Sequence, residues 1–199
     1  MGFVGDIPSR LLRRVEETQA ERLVLLTSSR RPSRRTRSLL KDLEGSIYGV
    51  VRLSRGHASL KDLNLMAIKL GFKSVAIVSE RKGNPGSIEF YEPASGGLVA
   101  LGKVLLRGVS LSKELGVKAR GSCRELLVSD SARNVAGSLE LASLLKKGFN
   151  LVEVNGRPDK DFIELDFDSA SELFILVPRR SYDNRIIGPL LRIQYSAPK

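Results

Sequence analysis

Four consecutive apolar residues, Leu23 to Leu26, open the clearest pattern in the chain, since an unbroken apolar run suits a strand buried on both faces of a sheet. Behind it Thr36, Leu39, Leu40 and Leu43 recur at helical spacing, while Arg34, Arg37 and Lys41 repeat at i, i+3 and i+7. The pattern therefore predicts a helix with an inward apolar stripe and an outward basic one. Pro32 is expected in its first turn, where a missing N–H and a fixed φ do no harm. Upstream, Ile7, Leu11 and Val15, with Leu12 beside them, predict an amphipathic helix over residues 7–20.

The alternation of strand and helix continues. Residues 48–53, YGVVRL, read as a second strand, and Ser59-x-x-Asp62 is a capping box. Leu60, Leu63, Met66, Ala67 and Leu70 give the next helix its inward face, which stops at Gly71. Residues 74–79 form a third strand, and Gly83-Asn84-Pro85-Gly86 is the expected turn into a fourth at 87–91. Residues 98–107 are a further strand and 111–120 a short helix or connector. Residues 125–128 followed by Ser129-Asp130-Ser131 repeat the opening theme, with a helix expected over 132–147, Val135, Leu139 and Ala142 inward, and Gly148 as its stop. Residues 162–167, 172–177 and 190–195 complete the strands.

At an offset of about one hundred residues LLTSS meets LLVSD, and VAIVSER meets FILVPRR, which suggests two similar halves over roughly 1–107 and 124–199 with a connector at 108–123. The expected class is α/β, with two similar βα halves around mainly parallel or mixed sheets, because right-handed crossovers set consecutive helices against a common sheet. Loops after parallel strands share one sheet edge, so residues 27–35, 54–57 and 79–82 are expected to converge where open α/β sheets bind ligands.

Charge turns that fold into a function class. A formal net charge of +11 and a pI near 10.1 on 199 residues imply a polyanionic partner, nucleic acid first and an acidic membrane surface second. Arg30, Arg31, Arg34 and Arg35 crowd the positive end of a helix dipole, an arrangement that favours a bound anion such as phosphate over a merely solvated face. The excess of basic residues is larger in the first half; in the second, Asp130 stands where the first half has arginines, and Arg179, Arg180, Arg185 and Arg192 carry the charge. With 6% aromatic residues and no Trp, contact with nucleic-acid backbone and shape is expected rather than stacking on unpaired bases.

Other chemistries fall away. Cys123 and His57 are the only residues of their kinds, which excludes disulfides, cysteine zinc sites and the usual catalytic triads. His57 in its basic loop reads as an anion contact or a solvated side chain rather than a general base. There is no Walker loop and no G-x-G-x-x-G after a strand. Gly83–Gly86 matches a KH-type GxxG by spacing, yet lies between strands rather than helices. Asp166 and Asp168 alternate along a strand end and read as solvent-facing rather than as a Mg²⁺ pair. No apolar run reaches membrane-spanning length and the N-terminal residues, with Asp6, Arg10, Arg13 and Arg14, do not form a signal peptide, so a soluble, cytoplasmic protein is expected.

Thr27 to Leu43 (TSSRRPSRRTRSLLKDL), Arg52 to Leu63 (RLSRGHASLKDL), Glu80 to Ile88 (ERKGNPGSI) and the late Gly188-Pro189 together resemble the Brix-domain family of ribosome-biogenesis proteins, specifically its short archaeal members. The resemblance implies a single domain over residues 1–199 whose halves are each similar to the anticodon-binding domain of class IIa aminoacyl-tRNA synthetases. It implies a non-enzymatic factor that binds rRNA or pre-rRNA in ribosome assembly, with other assembly proteins as candidate partners, no cofactor, no metal and no membrane. The candidate phosphate-binding residues are Ser28, Ser29, Arg30, Arg31, Arg34, Arg35, Arg37, Lys41, Arg52, Arg55, His57, Arg81, Lys82, Arg179, Arg180 and Arg185. The alternatives are an α/β enzyme acting on a phosphorylated small molecule at the same crevice, or a structural ribosomal protein.

Overall fold

A computed structural model describes residues 7–18 and 23–195. The first half contains α1 (Ser9–Thr18), β1 (Leu23–Ser28), α2 (Arg34–Ser46), β2 (Val50–Arg52), α3 (Leu60–Lys69), β3 (Phe72–Arg81), β4 (Asn84–Ala94) and β5 (Gly97–Ser110). The second contains β6 (Glu125–Val128), α4 (Asp130–Arg133), α5 (Ser138–Phe149), β7 (Val152–Val154), β8 (Phe162–Asp168), β9 (Leu173–Arg179) and β10 (Leu190–Gln194). All ten strands join one mixed sheet in the order β2-β1-β3-β4-β5-β10-β9-β8-β6-β7. The halves thus share a sheet rather than each building its own.

The order reads alike from either edge. β1 is parallel to β2 and β3, and β6 is parallel to β7 and β8, while hairpins β3–β4–β5 and β8–β9–β10 lead inward to an antiparallel β5–β10 seam. Because that seam is antiparallel, β6 and β8 run opposite to β1 and β3. The carboxyl ends of the two parallel clusters therefore lie at opposite edges of the sheet.

One face carries α2 and α5 over a continuous core that includes Leu26, Leu39, Phe90, Leu126, Leu141, Phe149 and Leu191. Helix α5 reaches across the seam onto first-half strands: Ser74 Oγ donates to the Gly148 carbonyl at 2.8 Å, and the Phe90 and Phe149 rings meet edge-on at 4.9 Å. Gly148 is required by this approach, since a Cβ there would sit 2.3 Å from the Phe90 ring. On the opposite face α1 and α3 cover β1 to β3 around Leu11, Leu25, Val51, Leu63, Phe72 and Ile77. The second half has a loop, not a helix, between β7 and β8, so its corresponding face lacks an α3.

Several expectations are corrected. Ser33, not Pro32, begins α2: its hydroxyl caps the Thr36 N–H and Pro32 lies outside the helix. Leu60 on α3 is exposed, and Asn64 is buried in its stead, its amide pairing with both the N–H and the carbonyl of Ala94. The hairpin turn is Lys82-Gly83, with φ of 51° and 75°, so Asn84 to Gly86 belong to a strand; a two-residue turn of this kind needs positive φ at both positions. The helix expected over 132–147 breaks into α4 and α5 at Gly137 (φ 83°), which shifts the helical phase and leaves Leu139 69% exposed while Leu141, Leu144 and Leu145 turn inward. Of the two readings for residues 111–120 the connector holds, with turns at 112–116, and β7 is an additional strand. Residues 19 and 20 of the first expected helix lie outside the described residues.

Candidate functional site

The parallel register of β1, β2 and β3 brings the three basic loops of the first half to one sheet edge. Leu53 N–H donates to the Leu26 carbonyl and Ser29 N–H to the Val78 carbonyl, each at 2.8 Å, so the chain leaves β2 just short of the end of β1, while β3 runs on three residues beyond Val78, to Arg81, before its turn. Thr27 Oγ1 donates to the Leu53 carbonyl at 2.9 Å. Arg55 then ties the loops together, donating to the Ala58 carbonyl at 3.1 Å and to the Ser28 carbonyl at 3.4 Å. Burial and the like charge of Arg30 both push the Arg55 guanidinium below its ordinary value.

The crowding of arginines at the start of α2 is offset in part by an anion belonging to the protein. Glu80, at the end of β3, accepts from the Ser33 N–H at 2.7 Å and from the Thr36 hydroxyl, while Ser33 Oγ accepts from the Thr36 N–H at 3.2 Å. Burial raises the Glu80 carboxyl, but the bonds from Ser33 and Thr36, with the charge of Arg37, outweigh it and hold Glu80 below the usual range. An external phosphate is therefore not needed to cap α2, and it would meet the arginine side chains beyond the capped end. Glu80 was missed by the sequence reading: its partners lie 47 and 44 residues away, and no local motif links them.

The candidate residues divide into two groups. Arg30, Arg31, Arg34, Arg37, Lys41, Arg81 and Lys82 are exposed, and among the described residues none of them makes an ion pair. Arg31 holds φ at 54°, a strained position for a non-glycine residue. His57 is exposed in the second loop and Ser29 is half-buried in the first. The rest are engaged within the protein. Ser28 is buried; Arg35 makes a two-pronged pair with Glu114 at 2.5 and 2.9 Å and donates to the Val109 carbonyl at 2.6 Å; Arg52 pairs with Glu44 at 3.4 Å.

The second-half cations lie at the same sheet edge, because β9 runs in the direction of β3, but four strand positions along it, about 19 Å at ~4.8 Å per strand. They are also more occupied. Arg179 pairs with Glu164 at 2.5 Å and donates to the Asn184 carbonyl at 3.0 Å, while Arg180 and Arg185 share Asp183 at 3.5 and 3.4 Å. The loop topologically equivalent to the arginine loop, Ser129 to Ser131, lies at the opposite edge and holds Asp166, which accepts from both serine hydroxyls. Asp166 and Asp168 form no metal-ligating group, and none of three or more His, Cys, Asp or Glu occurs among the described residues. No helix among those residues is long and apolar enough to cross a membrane.

No family model matches the sequence. Individual relatives do. Over 174 residues the chain is 42% identical to a probable Brix domain-containing ribosomal biogenesis protein of Aeropyrum pernix, an alignment covering 84% of this chain and 93% of that protein. A protein of the same description from Pyrococcus abyssi is 25% identical over 187 residues, 86% of this chain and 83% of the relative. Among solved structures, a probable ribosomal biogenesis protein from Aeropyrum pernix superposes with a TM-score of 0.74 at 29% identity over 88% of this chain and 97% of the other. An archaeal Imp4-like protein gives 0.64 at 27% identity, covering 86% and 97%.

Proposed function

The chain belongs to the Brix domain-containing ribosomal biogenesis proteins, and from that premise we propose that it is a non-enzymatic RNA-binding factor acting on rRNA or pre-rRNA during processing and assembly. The observation that carries the proposal is the set of exposed cations Arg30, Arg31, Arg34, Arg81 and Lys82 at one sheet edge, continued along α2 by Arg37 and Lys41, none of which makes an ion pair among the described residues. Like charges held together without ion-pair partners cost the folded protein stability unless a polyanion meets them, and guanidinium forks match phosphate oxygens in pairs. Arg55 and Glu80 shape the edge without neutralising it. The protein would grip phosphates and leave base identity largely unread, in keeping with its few aromatic residues. On the same reading each half corresponds to an anticodon-binding-like unit, the protein is cytoplasmic, and other assembly proteins are its further partners.

The test is the affinity for a structured rRNA fragment as a function of salt. Log affinity should fall linearly with log salt, and replacing Arg30, Arg31, Arg34 and Arg37 by alanine should flatten the slope by up to ~0.9 for each phosphate no longer neutralised. An unchanged slope in the quadruple variant would remove the basis of the proposal.

A further inference from the structure

Beyond Ser87 and Leu105, the last residues that pair β4 with β5, the two strands separate. At the tip of the β3–β4 hairpin Pro85 stands opposite Glu80 across an irregular register, and β5 continues along β10 with Arg107 as an extra residue between the Leu106 and Gly108 pairings. The gap between tip and strand is an open pocket of about 390 Å³ lined by Arg35, Arg81 and Arg107, with Asn84, Gly86 and Gly108. Gly86 keeps the wall thin, since a Cβ there would stand 2.8 Å from that of Arg81.

Three arginines thus line one gap. Arg35 is fixed by Glu114 and by the Val109 carbonyl. Arg107 donates only to a neutral acceptor, the Gln194 side-chain oxygen, from Nε at 2.6 Å and also from Nη2. Among the described residues Arg81 makes no ion pair, and the nearby Glu80 carboxylate is turned to Ser33 and Thr36. Two of the three cations therefore have no carboxylate, and a bulge holds one of them in place. Such a cluster is stable around an anion small enough to enter the gap and rich enough in acceptors to engage several forks.

We propose that the pocket between the β3–β4 tip and β5 is a phosphate site, read by Arg81 and Arg107 against the fixed wall of Arg35. Resting on the RNA reading above, it takes one backbone phosphate of the bound RNA and leads the strand from the arginine loop across the hairpin tip toward the β5–β10 seam. Arg107 is then a binding residue outside all three basic loops.

The full chain is titrated with a structured rRNA fragment and, separately, with inorganic pyrophosphate, following the arginine Nε–H resonances by NMR. In wild type, both titrants should shift Arg81 and Arg107 saturably. Arg107→Ala should lower RNA affinity about tenfold, the scale of one charge-assisted hydrogen-bonding group, and flatten the salt slope by up to ~0.9. Arg107→Lys should restore the slope but only part of the affinity, since an ammonium lacks the fork. RNA binding by Arg107→Ala and Arg81→Ala at wild-type strength and slope, while substitutions in the arginine loop weaken it, would overturn the pocket and leave the RNA reading standing. If wild type binds no RNA, that reading fails instead. Saturable pyrophosphate shifts that disappear in Arg107→Ala would then retain a phosphate site for a free anion, and their absence in wild type would overturn it.

Discussion

The two halves of the sheet use one local device with opposite surface charge. In each, an amide at the end of the first parallel strand reaches the neighbouring strand, Ser29 to Val78 at 2.8 Å and Ser129 to Leu165 at 2.9 Å. In each, a carboxylate from that neighbour holds the hydroxyls at the following helix start, Glu80 with Thr36 and Asp166 with Ser129 and Ser131. The difference is what lies between strand and cap. In the second half Ser129 follows β6 at once and caps α4, whereas in the first half Ser29, Arg30, Arg31 and Pro32 intervene before Ser33 caps α2. Since the second half folds the same corner without arginines, folding does not require them. The basic loop, with Arg31 strained, is extra to the shared corner, and the proposed function assigns it to RNA.

The faces differ as well. α1 and α3 seal the first half on the side away from α2, and the loop between β7 and β8 does not replace them. The second half instead lends α5 to the common core. The first half is thereby the more completely wrapped unit, and the second depends on the seam.

That dependence can be broken most strongly at Gly148. Gly148→Ala places a methyl against the Phe90 ring and should destabilise the whole chain by about 1–3 kcal/mol, seen as a lower denaturant midpoint in a single transition. Two separate transitions would show that the halves unfold independently. The capping device gives a smaller effect with a defined sign. Glu80 is held below its ordinary value in the folded state, so its contribution is present above the unfolded pKa of ~4.3 and is lost as pH falls through the folded value. Glu80→Gln should therefore be less stable than wild type at neutral pH and should lose less on acidification below about pH 4.3, measured by chemical denaturation. Asp166→Asn should behave alike, because its carboxyl is also held low: burial opposes, and the Ser131 and Ser129 hydroxyls prevail. The smallest effect is expected at Cys123, which is buried beside the Phe162 carbonyl, with burial and the charge of Asp161 pushing its thiol up to about 12. A thiol-alkylating reagent near pH 8 should leave it unmodified in the folded chain and label it on unfolding.

Much of the first half is legible in the sequence because its signals are local. The Leu23 to Leu26 run, the Thr36–Leu39–Leu40–Leu43 stripe and the Ser59–Asp62 capping box each act within a few residues, and the structure places them as strand, buried helix face and cap. From parallel strands the meeting of three basic loops follows directly. Non-local features were not legible. The bond from Ser33 to Glu80 spans 47 residues, and the pairing of Arg35 with Glu114 spans 79, so neither the internal anion nor the capture of Arg35 by the framework could be read locally. The antiparallel β5–β10 seam, which sends the Ser129 loop to the far edge, is likewise a property of the assembled sheet. Leu139 failed for a local reason, a left-handed Gly137 that resets the helical phase between α4 and α5.

The central claim is that the arginines added to the first half, rather than basic charge in general, hold the RNA. Its most direct measurement is a salt titration of binding to one structured rRNA fragment by two double variants with equal charge loss, Arg30→Ala with Arg31→Ala and Arg180→Ala with Arg185→Ala, each checked for folding. Among the described residues the first pair makes no ion pair, and the second shares Asp183. The N-terminal double variant should lose more affinity and flatten the slope by up to ~1.8, twice the value for one phosphate, with the C-terminal double variant close to wild type. An equal or greater loss from the C-terminal pair would place the main binding surface on the other half and contradict the claim.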